Sequence, residues 1–139
     1  MSESRFIDNK DSTIRDTQTG LVWTKEDSWQ RENRWVTWGE AMEFAKYINN
    51  LELGGYKGWR LPNIKEAKTL IHLGKKNKDK YGKALHLDPI FPEGPQAMFW
   101  LDQPGAGNEG YLMDLTTGEI GSKLKSISGR MAARPVSDG

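Results

Sequence analysis

The sequence predicts an α+β fold, one domain over residues 1–139 with strands at both ends and two helices between them. Short runs rich in β-branched and aromatic residues, bounded by Asp, Asn, Ser and Gly, fill the first 25 residues and recur from residue 98 onward. Two segments in the first half instead carry apolar residues at helical spacing behind a capping signal. A chain of 139 residues, 36% hydrophobic and 28% charged, has the size of one domain and the apolar content to bury a core without staples.

Arg5-Phe-Ile-Asp8, Thr13-Ile-Arg-Asp16 and Leu21-Val-Trp-Thr24 read as strands, separated by the turn-rich Asn9-Lys-Asp-Ser12 and Thr17-Gln-Thr-Gly20. Thr37-Trp-Gly-Glu40 is a capping box, in which the Thr37 hydroxyl accepts from the Glu40 amide and the Glu40 carboxylate reaches back to the Thr37 amide. Trp38, Ala41, Met42, Ala45 and Ile48 then share a face that Phe44, Tyr47 and Leu51 broaden, which predicts a helix laid on a sheet and ended by Gly54-Gly55. Asn63, with Glu66 three residues later, opens a second helix whose buried face is Ile64, Ala67, Leu70 and Ile71 and whose end falls at Gly74. Asp88-Pro-Ile-Phe-Pro-Glu-Gly-Pro95 holds three prolines and predicts irregular chain. Met98-Phe-Trp-Leu101 is a short strand and residues 103–110 a loop. Tyr111–Leu115 and Glu119–Lys123 flank Thr116-Thr-Gly118 as a hairpin. Met131–Val136 is a last strand, which Pro135 confines to an edge or to its own end.

The chain has no cysteine, so disulfides, thiolate metal sites and thiol nucleophiles are excluded together. The N-terminus lacks the apolar run of a signal peptide and no stretch approaches the ~20 apolar residues of a membrane span, so the expected location is the cytoplasm, without membrane insertion. A domain cut from a longer secreted protein would have the same composition. Net charge is only +1, but from Lys57 to Lys83 nine Lys and Arg face Glu66 and Asp79 alone. The densest stretch holds Lys75, Lys76, Lys78, Lys80 and Lys83, a candidate patch for an anionic polymer or otherwise a solvated loop.

Leu53-Gly-Gly-Tyr-Lys-Gly-Trp-Arg-Leu-Pro-Asn-Ile-Lys-Glu66 resembles the signature of the Lcl C-terminal domain family, a domain of unknown function. Phe6-Ile-Asp-Asn9, Asp16-Thr-Gln-Thr-Gly-Leu-Val-Trp23, Thr37-Trp-Gly-Glu-Ala41 and Arg134-Pro-Val136 resemble its other motifs, in the same order. The resemblance implies a C-type-lectin-like fold: two helices packed on a small twisted antiparallel sheet, N- and C-terminal strands adjacent, and a long irregular region above. It further implies that Trp59 plugs the core. This sequence departs from the family in having no cysteine and in following Phe99-Trp100 with Leu101-Asp-Gln-Pro104 where a Ser-rich run is common.

No catalytic constellation emerges. His72 and His86 lack triad or metal spacing, and Asp8-Asn-Lys-Asp11 lacks the alternating oxygens of a calcium loop, so neither a catalytic residue nor a metal or other cofactor is expected. The related formylglycine-generating enzymes need cysteines that are missing here. Gly105-Ala-Gly107 lacks the strand-to-helix setting of a phosphate loop, and the basic run holds only Tyr81 among its cations, which argues against nucleic acid. The expectation is a non-enzymatic, calcium-independent module for a glycan or other small polar ligand. Its candidate residues are Trp100 for stacking, Asp102, Gln103, Asn108 and Glu109 for hydrogen bonds, and Lys123, Lys125 and Arg130 for anionic groups. The alternatives are a protein-interaction subunit using Trp29 and Trp35, and an anionic-polymer binder using the lysine run. Trp23, Trp38 and Trp59 are expected in the core.

Overall fold

The structure, a computed structural model, describes residues 5–139, so the start of the N-terminus read above for a leader lies outside the described residues. The three predicted N-terminal strands form as β1 (Phe6–Asp8), β2 (Thr13–Asp16) and β3 (Val22–Thr24), an antiparallel meander. The bidentate Arg5–Asp16 pair, with contacts of 2.9 and 2.6 Å, ties the start of β1 to the end of β2.

Among the described residues three α-helices follow where two helices were predicted. The extra one is α1 (Ser28–Glu32), five residues opened by a capping box of Asp27 and Gln30 and closed by Asn33 at φ 58°. Helix α2 (Trp38–Leu51) begins on the predicted Thr37/Glu40 box. Ala41, Phe44, Ala45 and Ile48 are buried, but Tyr47 and Leu51, expected on the same face, are exposed. The stripe is narrower than the sequence suggested: Trp38 and Met42 pack partly buried beside the four buried residues, and Tyr47 and Leu51 fall outside it. Helix α3 (Ile64–Leu70) begins on the Asn63/Glu66 box and ends short of Gly74. There the Ile71 amide turns back to Lys68 and the His72 amide bonds the His86 carbonyl, which pulls the chain out of the helix.

The second half supplies a small hairpin, β4 (Asn77–Lys78) with β5 (Ala84–Leu85), and a four-stranded sheet. That sheet runs β8 (Glu119–Leu124), β7 (Glu109–Asp114), β6 (Met98–Pro104), β9 (Met131–Ala132). Strand β6 extends through residues read as loop, leaving only 105–108 as the connection to β7. The single C-terminal strand expected at 131–136 is two. β9 pairs parallel with β6, and after a crossing at Ala133-Arg-Pro135 the chain enters the N-terminal sheet as β10 (Val136–Ser137), antiparallel to β3. Proline cannot donate a ladder bond, so the change of sheet falls at Pro135. The chain ends therefore share a sheet in the order β1-β2-β3-β10, with β10 beside β3 and not beside β1.

Strand alternation divides the core in two. Phe99, Leu101 and Met113 point to one side, with Trp23, Phe6, Phe91 and the α3 residues Ala67 and Leu70. Trp100 and Leu112 point to the other, with Val22, Trp59, Met131 and the α2 face. The β6–β7 sheet is thus covered on both faces, by α3 and the N-terminal sheet on one and by α2 on the other. Trp23 and Trp59 are core as expected, while Trp38 is half-buried at the margin and donates its indole N–H to the Leu101 carbonyl at 3.0 Å.

Candidate functional site

The turn of the β4–β5 hairpin is organised by Asp79. Its Oδ1 accepts from the Tyr81 and Lys83 amides, both at 2.8 Å, and Gly82 at φ 82° lets the chain close the loop. Tyr81 and Lys83 are thereby held side by side, exposed. At the far end of β7, Asp114 Oδ1 accepts from the Thr116 amide at 2.9 Å and hydroxyl at 2.6 Å, fixing the β7–β8 turn. Arg130, itself at φ 62°, lays its guanidinium 4.8 Å from the centre of the Tyr81 ring. These segments enclose a cleft of about 120 Å³, completed by Gln96, Ala97 and Met98.

Gln96 is the unusual member. It is 1% exposed, and its backbone N–H donates to Asp27 Oδ2 at 2.8 Å, yet neither Oε1 nor Nε2 of its side chain has a hydrogen-bond partner. An unpaired buried carboxamide costs about 1–3 kcal/mol, so such groups are normally satisfied. Asp27, beneath it, also receives the Gln30 amide and faces the buried Arg134, which donates to the Thr24 and Lys25 carbonyls at 2.8 and 3.0 Å. Burial pushes the Asp27 carboxyl above the usual carboxylate range, against the Arg134 charge and the backbone amides that favour its ionised form.

The residues predicted as a ligand site fall in three places. Trp100 is fully buried and donates its indole N–H to the Val36 carbonyl at 2.9 Å, so it offers no stacking face. That corrects its assignment: β6 is covered on both sides, and the continuous run Met98-Phe-Trp-Leu101 is the pattern of such a strand. Asp102, Gln103, Asn108, Glu109, Lys123 and Lys125 do meet, at the outer end of the same sheet. There Glu109 lies 3.4 Å from the Ser122 hydroxyl, and Lys125 Nζ lies 4.4 Å from the centre of the Trp38 ring. Arg130 belongs to the cleft, roughly 17 Å away along β7 at ~3.4 Å per residue. Lys75, Lys76, Lys78, Lys80 and Lys83 are all exposed, but only Lys83 borders the cleft, while Lys80 sits 5.7 Å from the Trp29 ring.

Sequence reading missed Asp79, Tyr81, Gln96, Asp114 and Thr116 as a group. Only the Asp79 and Asp114 turn chemistry is visible locally, and nothing in the sequence brings these four segments together. Among the described residues no group of three or more His, Asp or Glu is placed to hold a metal ion, and no helix is long and apolar enough to cross a membrane. A family model described as the Lcl C-terminal domain matches residues 12–137. No curated protein and no solved structure matches the chain.

Proposed function

The chain belongs to the Lcl C-terminal domain family, and on that premise we propose that it is a non-enzymatic, calcium-independent ligand-binding module of C-type-lectin-like architecture, whose cleft takes a small polar ligand such as a carbohydrate. The observation that carries this reading is Gln96, a buried carboxamide without partners in the wall of a cleft that also holds Asp79, Asp114, Thr116 and an Arg-capped tyrosine beside the apolar Ala97 and Met98. Asp79, Asp114 and Thr116 suit hydroxyl groups, the Tyr81 ring suits the C–H face of a sugar, and Lys83 and Arg130 suit negative charge. Enclosed ligand pockets usually span ~300–1,000 Å³, so a cleft of about 120 Å³ takes one residue or one substituent of a ligand and leaves the rest in solvent. The lectin-like architecture is supported by the shared sheet of the chain ends, the capped helices α2 and α3, and the long irregular stretch between α3 and β6.

A glycan array probed with the native protein and with Tyr81→Ala/Arg130→Ala, both in EDTA, tests this. The expected result is a set of glycans retained in EDTA and lost in the variant. A set of bound glycans that the variant keeps in full would remove the cleft as the site.

A second reading rests on the Trp29–Trp35 pair, stacked with centroids 6.1 Å apart and with Trp35 42% exposed. A half-buried Trp29 stacked under an exposed Trp35, next to Lys80, favours an interaction surface for a protein or an anionic polymer. Light scattering across protein concentration, and binding to heparin across salt, separate these two from the cleft reading.

A further inference from the structure

Among the described residues β8 is the longest strand at a sheet edge. It runs six residues beside β7 alone, whereas β1, β9, β10 and the strands of the β4–β5 hairpin run two or three. Its pairing with β7 is unbroken from Glu119 to Leu124, without a proline or a bulge, so charge at Glu119 and Lys123 is all that guards the edge. In the same register the Lys125 N–H donates to the Asn108 carbonyl at 2.7 Å. Hydrogen-bonded pairs alternate along an antiparallel ladder, so Glu119, Gly121 and Lys123 bond inward to β7. The N–H and C=O of Ile120 and Ser122, and the Leu124 N–H, therefore point out from the sheet; the Leu124 carbonyl accepts from the Ile127 N–H at 3.0 Å. Leu124, 52% exposed, and the half-buried Ile120 share one face of the strand, and Glu119, Lys123 and Lys125 lie on the other.

These outward groups fix how an identical strand can join. In a two-fold antiparallel pair, outward residues must face outward residues, so the axis passes through a residue and not between two. An axis at Lys123 sets two cations face to face. One at Gly121 leaves Leu124 opposite Gly118, whose N–H already donates to the Asp114 carbonyl at 2.8 Å. An axis at Ser122 sets Ile120 against Leu124 on one face and Glu119 against Lys125 on the other, and symmetry repeats both pairs. We propose that β8 is a dimer seam, on which a second copy of this chain lays its own β8 antiparallel about Ser122 and joins the two four-stranded sheets into one. The Ser122 N–H and C=O groups exchange hydrogen bonds across the axis, and each Leu124 N–H meets the Ile120 carbonyl of the other copy. The match of β8 with itself, in charge and in apolar contact, is what selects a second copy over a foreign strand.

Sedimentation velocity across a wide range of protein concentration tests the seam, for the native chain, for Glu119→Lys, for Lys125→Glu and for an equimolar mixture of the two variants. The native chain is expected to pass from monomer to dimer as concentration rises. Each variant alone sets like charges opposite each other twice, and is expected to weaken the dimer about tenfold or more. The mixture is expected to restore it, since every charge pair across a mixed seam is again opposite in sign. In the native chain, hydrogen exchange at the amides of Ile120, Ser122 and Leu124 is expected to slow as the dimer forms, while Gly121 and Lys123, already bonded to β7, change little. That measurement needs no substitution, so it decides the matter even if a variant fails to fold. A chain that stays monomeric at every concentration overturns the seam. So does a dimer that both variants keep in full, or one whose formation leaves the three outward amides unprotected. Variants that weaken the dimer without rescue in the mixture overturn the register about Ser122.

Discussion

Replacing Gly110 by alanine places one methyl group against two indole rings. Gly110 sits in β7 where a Cβ would lie 2.8 Å from Trp38 Cδ1 and 3.0 Å from Trp100 Cζ3, against ordinary contacts of 3.4 Å and more. Neither ring can swing aside freely, because each is tied by its N–H to a backbone carbonyl, Trp38 to Leu101 and Trp100 to Val36. Overpacking of this kind costs ~1–3 kcal/mol, and weakening one indole hydrogen bond adds ~1 kcal/mol. Against this, removing a glycine from a strand returns ~0.5–1 kcal/mol of chain entropy. The sum is a loss of roughly 1.5–3 kcal/mol, or a fall in melting temperature of about 5–15 °C for a domain of this length. Gly39 is the control: it lies in α2 with no atom within 4 Å of a built Cβ and without a positive φ. Gly39→Ala should raise stability by ~0.5–1 kcal/mol. Thermal unfolding followed by circular dichroism reads both. A Gly110→Ala protein as stable as the native one would refute the two-sided burial of β6 and β7 on which the exclusion of Trp100 from the site depends.

Three further outcomes are expected. Burial pushes the Asp16 carboxyl up, but the Arg5 hydrogen bonds, the Gln18 amide and the Arg5 charge outweigh it and hold the group below the usual carboxylate range. A depressed carboxyl stabilises the fold above its unfolded pKa of ~3.9, and that contribution is lost as pH falls through the lower folded value. Asp16→Asn should therefore lower stability at pH 7 by about 3 kcal/mol, the low end for a broken buried pair because Arg5 keeps 15% exposure. Its difference from the native chain in urea melts should shrink toward pH 3. Asp27 works in the opposite sense: its raised carboxyl weighs against the folded state at neutral pH, and that cost is relieved as pH falls through its folded value. Trp100→Phe should cost ~1–3 kcal/mol in the same melts, by leaving the buried Val36 carbonyl without its donor, and should leave sugar binding untouched.

What the sequence shows plainly is local. The Thr37/Glu40 and Asn63/Glu66 boxes mark the starts of α2 and α3 because both partners lie within four residues. The same signature stands at Asp27 and Gln30, but α1 is five residues long and too short to add a periodic face, so the helix passes unnoticed. Met98-Phe-Trp-Leu101 carries its meaning in continuity: four apolar residues in a row fit a strand covered on both faces, which rules out a Trp100 open to ligand. The split of the C-terminal strand depends on which sheet each half joins, a long-range choice of which Pro135 marks only the location. The cleft is less legible still. Tyr81, Gln96, Thr116 and Arg130 come from four separate segments, and the unpaired state of Gln96 exists only once its surroundings are folded.

The most direct test of the central claim is a chemical-shift map of the labelled protein titrated with the carbohydrates it retains in EDTA. The shifting signals are expected to cluster on Tyr81, Lys83, the Gln96 side chain, Thr116 and Arg130, around that cleft. Shifts gathered instead at the outer sheet end, on Gln103, Glu109 and Lys125, or around Trp29 and Trp35, would contradict it.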